Sequence, residues 1–330
     1  MGFGLLNYSL LLVLGFAVGM LTGAFGVGGA FLITPALNII GLDMVSAIGT
    51  SFVSLAGKSV LGVWTHYKLG NVDWKLGVIF GLCSLAGVEL GKELLFYLQK
   101  LGLAGTWVRV SYIFFLTAVA IFMARDYLRH RSGVELYNRE RKGVRHGNQR
   151  FSMFRETILG VPPFISLPHS KVRLSVWVVI GSGIFLGLLS GFMGIGGGFI
   201  SLPLFVYLLG VPTLAAIGTT ALSVSFASIY GTIVYAIAGN VQWATAALLI
   251  GGSVGGVHVG GQLTRYVQEI TLRGVFALLL LAVAVSVLLK QLQMVIPSMG
   301  TLFCSTAFVC LLLLWKARKN FVAQGGGDKG

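Results

Sequence analysis

The chain has 330 residues, 56% of them hydrophobic and only 10% charged, whereas a soluble domain carries about 25% charged residues. That excludes a water-surrounded enzyme domain and implies a polytopic membrane protein. The net charge is +14, but residues 125–173 alone hold +7 and the tail from Lys316 a further +3. One basic loop and one basic tail read as cytoplasmic segments under the positive-inside rule, not as a nucleic-acid-binding face.

Taken in order, apolar segments fall at 5–25, 28–41, 44–66, 75–98 and 108–128. After the basic loop they resume at 174–193, 196–210, 212–237, 243–263, 272–290 and 295–315. A full crossing needs ~20 apolar residues, so 28–41 and 196–210 are short. They are expected as tilted spans or re-entrant pieces, tolerated where they are buried in protein or line a cavity. The N-terminus MGFGLLNYSL has no basic residue before its apolar run, so no cleavable signal peptide is expected. Trp64, Trp74, Trp107, Trp177, Trp243 and Trp315 all lie near segment ends, as in an interfacial aromatic belt. Cys83, Cys304 and Cys310 lie in apolar segments without metal-ligand spacing and read as buried thiols. The basic loop at 129–173 reads as a solvated connector, and the tail at 317–330 as cytoplasmic.

Two glycine-rich stretches recur in register. GMLTGAFGVGGAFLITP (Gly19–Pro35) matches GLLSGFMGIGGGFISLP (Gly187–Pro203). With one residue inserted after the proline, GLDMVSAIGTS (Gly41–Ser51) matches GVPTLAAIGTT (Gly210–Thr220), and GNVDW (Gly70–Trp74) matches GNVQW (Gly239–Trp243). Gly87 and Gly91 match Gly256 and Gly260. The duplication divides the chain into a first repeat at 1–128, a second at 174–267 and additional helices at 268–316. Internal repeats of this size are typical of secondary transporters. The first GNV loop is flanked by Lys68 and Lys75, whereas AIAGNVQW carries no charge. Opposite charge character at equivalent loops implies opposite sides of the membrane, hence inverted topology. The expected fold is an all-α polytopic membrane protein of two inverted-topology repeats. Broken or short helices follow the glycine motifs, with about 9–11 membrane segments.

The paired G-x-x-x-G-x-x-G-x-G-G…P elements, each followed by A-I-G-T-[ST], and the stretch HYKLGNVDW resemble the TauE/SafE sulfite exporter family. The resemblance covers both halves; the long basic loop departs from the short connector expected of the family. It implies an integral membrane exporter of sulfite, organosulfonates and related oxyanions, in a bacterial inner membrane.

The residues suit an anion carrier independently. A broken helix exposes backbone N–H groups at the next N-terminus, where roughly half a positive charge attracts anions. Glycine lets a ligand approach that backbone. The expected anion site is therefore Gly26, Gly28 and Gly29 with Gly194, Gly196 and Gly197, joined by Thr50, Ser51, Thr219 and Thr220. The outer glycines Gly19, Gly23, Gly187 and Gly191 read instead as close-packing positions. Lys58 lies mid-segment, where a charge faces a cavity or a partner. It either adds positive charge to the anion site or pairs with Glu89. Glu89 and His258 are candidates for proton coupling. Expected partners are a small anionic substrate and the lipid bilayer, with homo-oligomerisation open and no nucleic acid. No cofactor, metal or catalytic group is expected, and the scattered histidines argue against an enzyme. The rival readings are a transporter of another anion (sulfate, thiosulfate or a carboxylate), or a non-transporting assembly or sensory protein that uses the basic loop as a platform.

Overall fold

The computed structural model describes residues 5–25, 28–68, 70–137, 162–167, 172–263 and 269–325. The first repeat supplies α1 (Leu5–Phe25), α2 (Ala30–Ile40), α3 (Met44–Lys68), α4 (Trp74–Lys100) and α5 (Ala104–Tyr137). A two-stranded ribbon follows, β1 (Phe164–Leu167) and β2 (Val172–Ser175), antiparallel with Phe164 opposite Ser175. The second repeat supplies α6 (Val176–Met193), α7 (Gly198–Pro203), α8 (Thr213–Ile237) and α9 (Trp243–Leu263), and α10 (Glu269–Gln291) is the first of the additional helices. The last helix, α11 (Val295–Gly325), has no mate in the first repeat.

Among the described residues, seven helices are long and apolar enough to cross a membrane: α3, α5, α6, α8, α9, α10 and α11. The other four apolar segments become α1, α2, α4 and α7. Helix α4 is long, but Lys75, Glu89, Lys92, Glu93 and Lys100 dilute its hydropathy. Helix α2 has 11 residues, which at 1.5 Å per residue is about half the ~30 Å hydrocarbon core. It is a half-helix, and residues 30–39 are all buried. Helix α7 continues through Pro203 into a π-helical turn over Leu204–Leu208, closed by Leu209 N–H donating to the Leu204 carbonyl at 3.0 Å. A π turn holds one residue more than an α turn. It lies just after the proline, where the second repeat carries its inserted residue.

The ends of the basic loop are more ordered than a solvated connector. Helix α5 runs on to Tyr137, and Leu174 of β2 is fully buried. Ile165 and Leu174 of the ribbon share a small apolar cavity with Leu76, Ile79 and Val179. The centre of the loop and the end of the tail lie outside the described residues.

Glycine dictates which helices touch. A Cβ at Gly15, Gly19 or Gly23 of α1 would overlap the backbone at Leu249, Ser253 or Val257 of α9. The repeat mates behave alike: Gly183, Gly187 and Gly191 of α6 lie on the backbone at Phe80, Ser84 and Val88 of α4. In both pairs the numbers rise together, so the helices run parallel at backbone contact. Van der Waals packing of small residues drives such pairing in lipid. The outer glycines are thus packing positions, as their spacing implied. By contrast, α3 and α8 run antiparallel: Gly49 lies against Asn240, Gly218 against Asn71, and Ser59 Oγ is 3.2 Å from Ser228 Oγ. Helices α5 and α10 are antiparallel too, with Gly274 on Tyr127 and Arg109 on Gln291. The α3–α8 pair joins equivalent helices of the two repeats.

All six tryptophans face outward, between 48% and 62% exposed, as a belt requires. The reading of the cysteines holds for Cys310 alone. Cys83 is half-buried and Cys304 exposed, because an apolar segment also has an outward-facing side.

Candidate functional site

The two inner glycine clusters meet at the centre of the molecule. Gly28 and Gly29 adopt φ of 76° and 68°; Gly194, Gly196 and Gly197 adopt 70°, 62° and 73°. All are left-handed, a conformation that other residues reach only under strain. Gly29 caps the start of α2 and Gly197 the start of α7. Phe31 and Phe199, each the second residue of its half-helix, place their rings 5.8 Å apart. A Cβ at Gly28 would lie 2.6 Å from Leu55 Cδ1, and one at Gly196 would overlap Leu55 Cδ2. Both also face Val224, the repeat mate of Leu55. The two half-helix N-termini therefore converge on one Leu55–Val224 pair. Gly26 lies outside the described residues.

On the second-repeat side a cavity of about 210 Å³ opens at Gly196 and Gly197, lined also by Ser84, Ser190, Ser201, Ser223, Val224 and Ala227. Register carries this lining onto the first repeat as Thr22 for Ser190, Ser253 for Ser84, Ser54 for Ser223 and Lys58 for Ala227. The halves therefore differ at this level chiefly in one charge. Anions need donors, and most of these hydroxyls spend theirs locally. Ser84 donates to the Gly81 carbonyl at 2.6 Å, Ser201 to Gly197 at 2.7 Å and Ser223 to Thr220 at 3.0 Å. Ser190 Oγ, Ser54 Oγ, Thr220 Oγ1 and Lys58 Nζ are buried without a hydrogen-bond partner among the described residues.

Lys58 is 2% exposed and stands three residues after Leu55 on α3, hence on the same stripe of that helix. It does not pair with Glu89. Glu89 takes Lys92 Nζ at 2.5 Å and the Tyr230 hydroxyl at 2.9 Å, and Lys92 also reaches Glu93 at 3.1 Å. A neighbour one turn away satisfies Glu89 more readily than a cation on another helix. His258 is exposed and its ring lies 3.0 Å from Gln262 Nε2.

The AIGT hydroxyls divide. Thr50 Oγ1 accepts from the Gln242 amide at 3.0 Å and Thr219 Oγ1 from the Asp73 amide at 3.0 Å. Each clasps the GNV loop of the other repeat, at opposite ends of the α3–α8 pair. Gly49 and Gly218, the glycines of the same motif, let those loops approach. Ser51 donates to the Ala47 carbonyl at 2.7 Å and accepts from Thr34 at 2.8 Å. Thr34 lies 3.4 Å from the Gly194 carbonyl, which ties Ser51 to the second glycine loop. Two tyrosines brace the same strand of backbone: Tyr112 donates to the Met193 carbonyl at 2.8 Å and Tyr235 to Gly191 at 2.7 Å. Thr50→Val is expected to cost about 1–3 kcal/mol by stranding a buried amide, seen as a melting temperature several degrees lower in detergent. Thr50→Ser should keep the wild-type value, and equal melting of all three proteins would show the clasp to be dispensable.

The serines around the cavity and the two bracing tyrosines were not singled out from sequence. Ser84 and Ser190 sit in glycine-spaced helix faces and look like packing residues there. Their shared register with Ser253 and Thr22 was the signal that could have found them.

Comparison with known proteins identifies the family. Residues 11–287 match the family profile described as sulfite exporter TauE/SafE. A probable membrane transporter protein of Xylella fastidiosa (strain 9a5c) is 29% identical over 283 residues, covering 84% of this chain and 92% of its own. The probable membrane transporter protein YunE of Bacillus subtilis (strain 168) is 25% identical over 286 residues, covering 84% and 96%. MJ0441 of Methanocaldococcus jannaschii, also called a probable membrane transporter protein, is 29% identical over 206 residues, covering 61% and 62%. No solved structure matches the chain.

Proposed function

The chain belongs to the TauE/SafE sulfite exporter family, an integral membrane transporter family, and from that premise we propose that it exports small sulfur-containing anions such as sulfite or organosulfonates. The observation that carries this reading is Lys58: a buried ammonium without a partner, one helical turn from the residue on which both glycine loops converge. A charge in that position costs about 2.5–3.5 kcal/mol on insertion scales unless something offsets it. A bound anion offsets it directly. The free donors Ser54, Ser190 and Thr220 and the amides of the first two residues of α2 and α7 complete an oxyanion shell, since a helix offers its first amides no acceptor, whereas those of Leu32 and Ile200 turn back to Gly29 and Gly197.

The antiparallel repeat mates support inverted repeats that rock about the central pair, presenting the anion to each side in turn. The basic loop and the C-terminal tail face the cytoplasm in this reading, and the membrane is the bacterial inner membrane. Glu89, held by Lys92 and Tyr230, is a less suitable proton carrier than a free carboxylate. His258 is exposed and contacts Gln262. If protons are coupled, these two remain the acid–base groups to vary first.

Efflux from loaded proteoliposomes tests the reading across a panel of sulfite, a sulfonate, sulfate and a carboxylate. Preference for sulfite or the sulfonate is expected. Rates equal to protein-free vesicles across the panel would sink transport, and preference for the carboxylate would reassign the substrate. Gly196→Ala should lower efflux at least tenfold by pushing Leu55 aside, and adding Leu55→Ala should restore part of it. Full flux in the Gly196→Ala protein is incompatible with a backbone-amide site at this loop.

A further inference from the structure

We propose that a second anion site lies between α2, α5 and α10, built for one phosphate- or sulfonate-type oxyanion group. It goes beyond the central site and does not depend on it. Arg109 of α5 and Lys290 of α10 line the same cavity of about 220 Å³, together with Asn38, Met44 and Tyr112. Neither cation has a carboxylate within ion-pair distance among the described residues. Two like charges from helices far apart in sequence thus share one partly buried space, a repulsive arrangement that an anion would relieve.

The guanidinium is held for a ligand rather than left to wander. Its Nε donates to Gln291 Oε1 at 2.6 Å and its Nη1 to Asn38 Oδ1 at 3.3 Å. Gly105, one turn earlier, makes room for it: a Cβ there would lie 3.2 Å from Nη1. Helix polarity separates the two cations. Lys290 stands in the last turn of α10, where the helix dipole favours a positive charge. Arg109 stands in the second turn of α5, near the positive end, where the dipole opposes it. Tyr112, whose ring lines the cavity, holds the Met193 carbonyl beside the second glycine loop, so occupancy is adjacent to the moving parts.

The shared chemistry has two sources, a lipid phosphate or a free oxyanion. Thermal melting of the full-length protein in lipid-free detergent separates them, using phosphatidylglycerol and sodium sulfate as probes at matched ionic strength. The measurements are made in Lys58→Met protein so that the central site contributes nothing. One or both probes should raise the melting temperature saturably. Lys290→Gln should weaken the responding probe's apparent affinity about tenfold, and Arg109→Gln with Lys290→Gln should abolish the response. Response to the lipid alone assigns a headgroup site, and response to sulfate a free-ion site. No response to either probe, or equal responses in the parent and the Lys290→Gln protein, overturns the proposal. Should the double variant fail to fold, Lys290→Gln decides by itself, because it removes one charge and no ion pair.

Discussion

Replacing Lys58 by methionine is expected to cut sulfite or sulfonate efflux about 100-fold while leaving the protein folded. A hydrogen bond to a charged group is worth about 1.5–3 kcal/mol, or roughly 10–150-fold in binding, and a buried site lies at the upper end. Methionine keeps the length of the side chain and removes only the charge. Because the ammonium has no hydrogen-bond partner among the described residues, its removal strands nothing. The melting temperature should therefore hold or rise. Initial rates normalised to reconstituted protein, read beside the melting curve, check both halves of the expectation. Undiminished flux would place the anion elsewhere. Lys58→Arg is not a safe control, since a planar fork does not fit where a compact ammonium does.

Gly187→Val is expected to destroy the assembly rather than the chemistry. A Cβ at Gly187 would overlap the Ser84 carbonyl oxygen, which is backbone and cannot rotate away. Overpacking costs about 1–3 kcal/mol even where side chains can yield; here two helices would have to separate. Lipid supplies no hydrophobic drive to hold them together. The variant should lose its monodisperse peak on detergent chromatography. Gly19→Val should do the same through Ser253. Gly181, with nothing near its missing Cβ, is the control: Gly181→Ala should elute and melt like the parent. Wild-type elution of the Gly187→Val protein would contradict the parallel contact between α4 and α6.

Much of this was legible because it rests on local, repeated signals. The division of the glycines into outer packing positions and an inner pair followed from their spacing and duplication. So did the half-helices, and the inserted residue marked the π turn. The charge at Lys68 and Lys75, absent from AIAGNVQW, distinguishes the two GNV loops in the sequence. What escaped depends on pairs far apart in the chain. No spacing rule links Arg109 to Lys290, or Thr50 to the amide of Gln242. The competition for Glu89 was decided by a helical neighbour, Lys92, that sequence alone could not weigh against Lys58. Hydroxyls were the hardest, because a serine on a glycine-lined helix looks the same whether it packs or binds.

The backbone contact between α1 and α9 sets an order of events during synthesis. The glycine face of α1 leaves the ribosome early, yet its partner surface at Ser253 lies about 230 residues later. At about 5–20 residues per second, that is a wait of roughly 10–50 s. Throughout it, a helix of bare glycine backbone sits in the bilayer with no native neighbour, and any other small-residue helix nearby can capture it. Helix α4 waits a shorter time for α6. The first half of this protein is therefore an open clasp until the second half arrives. A chain interrupted after the basic loop should be found bound to insertion chaperones or degraded, not stored as a folded half.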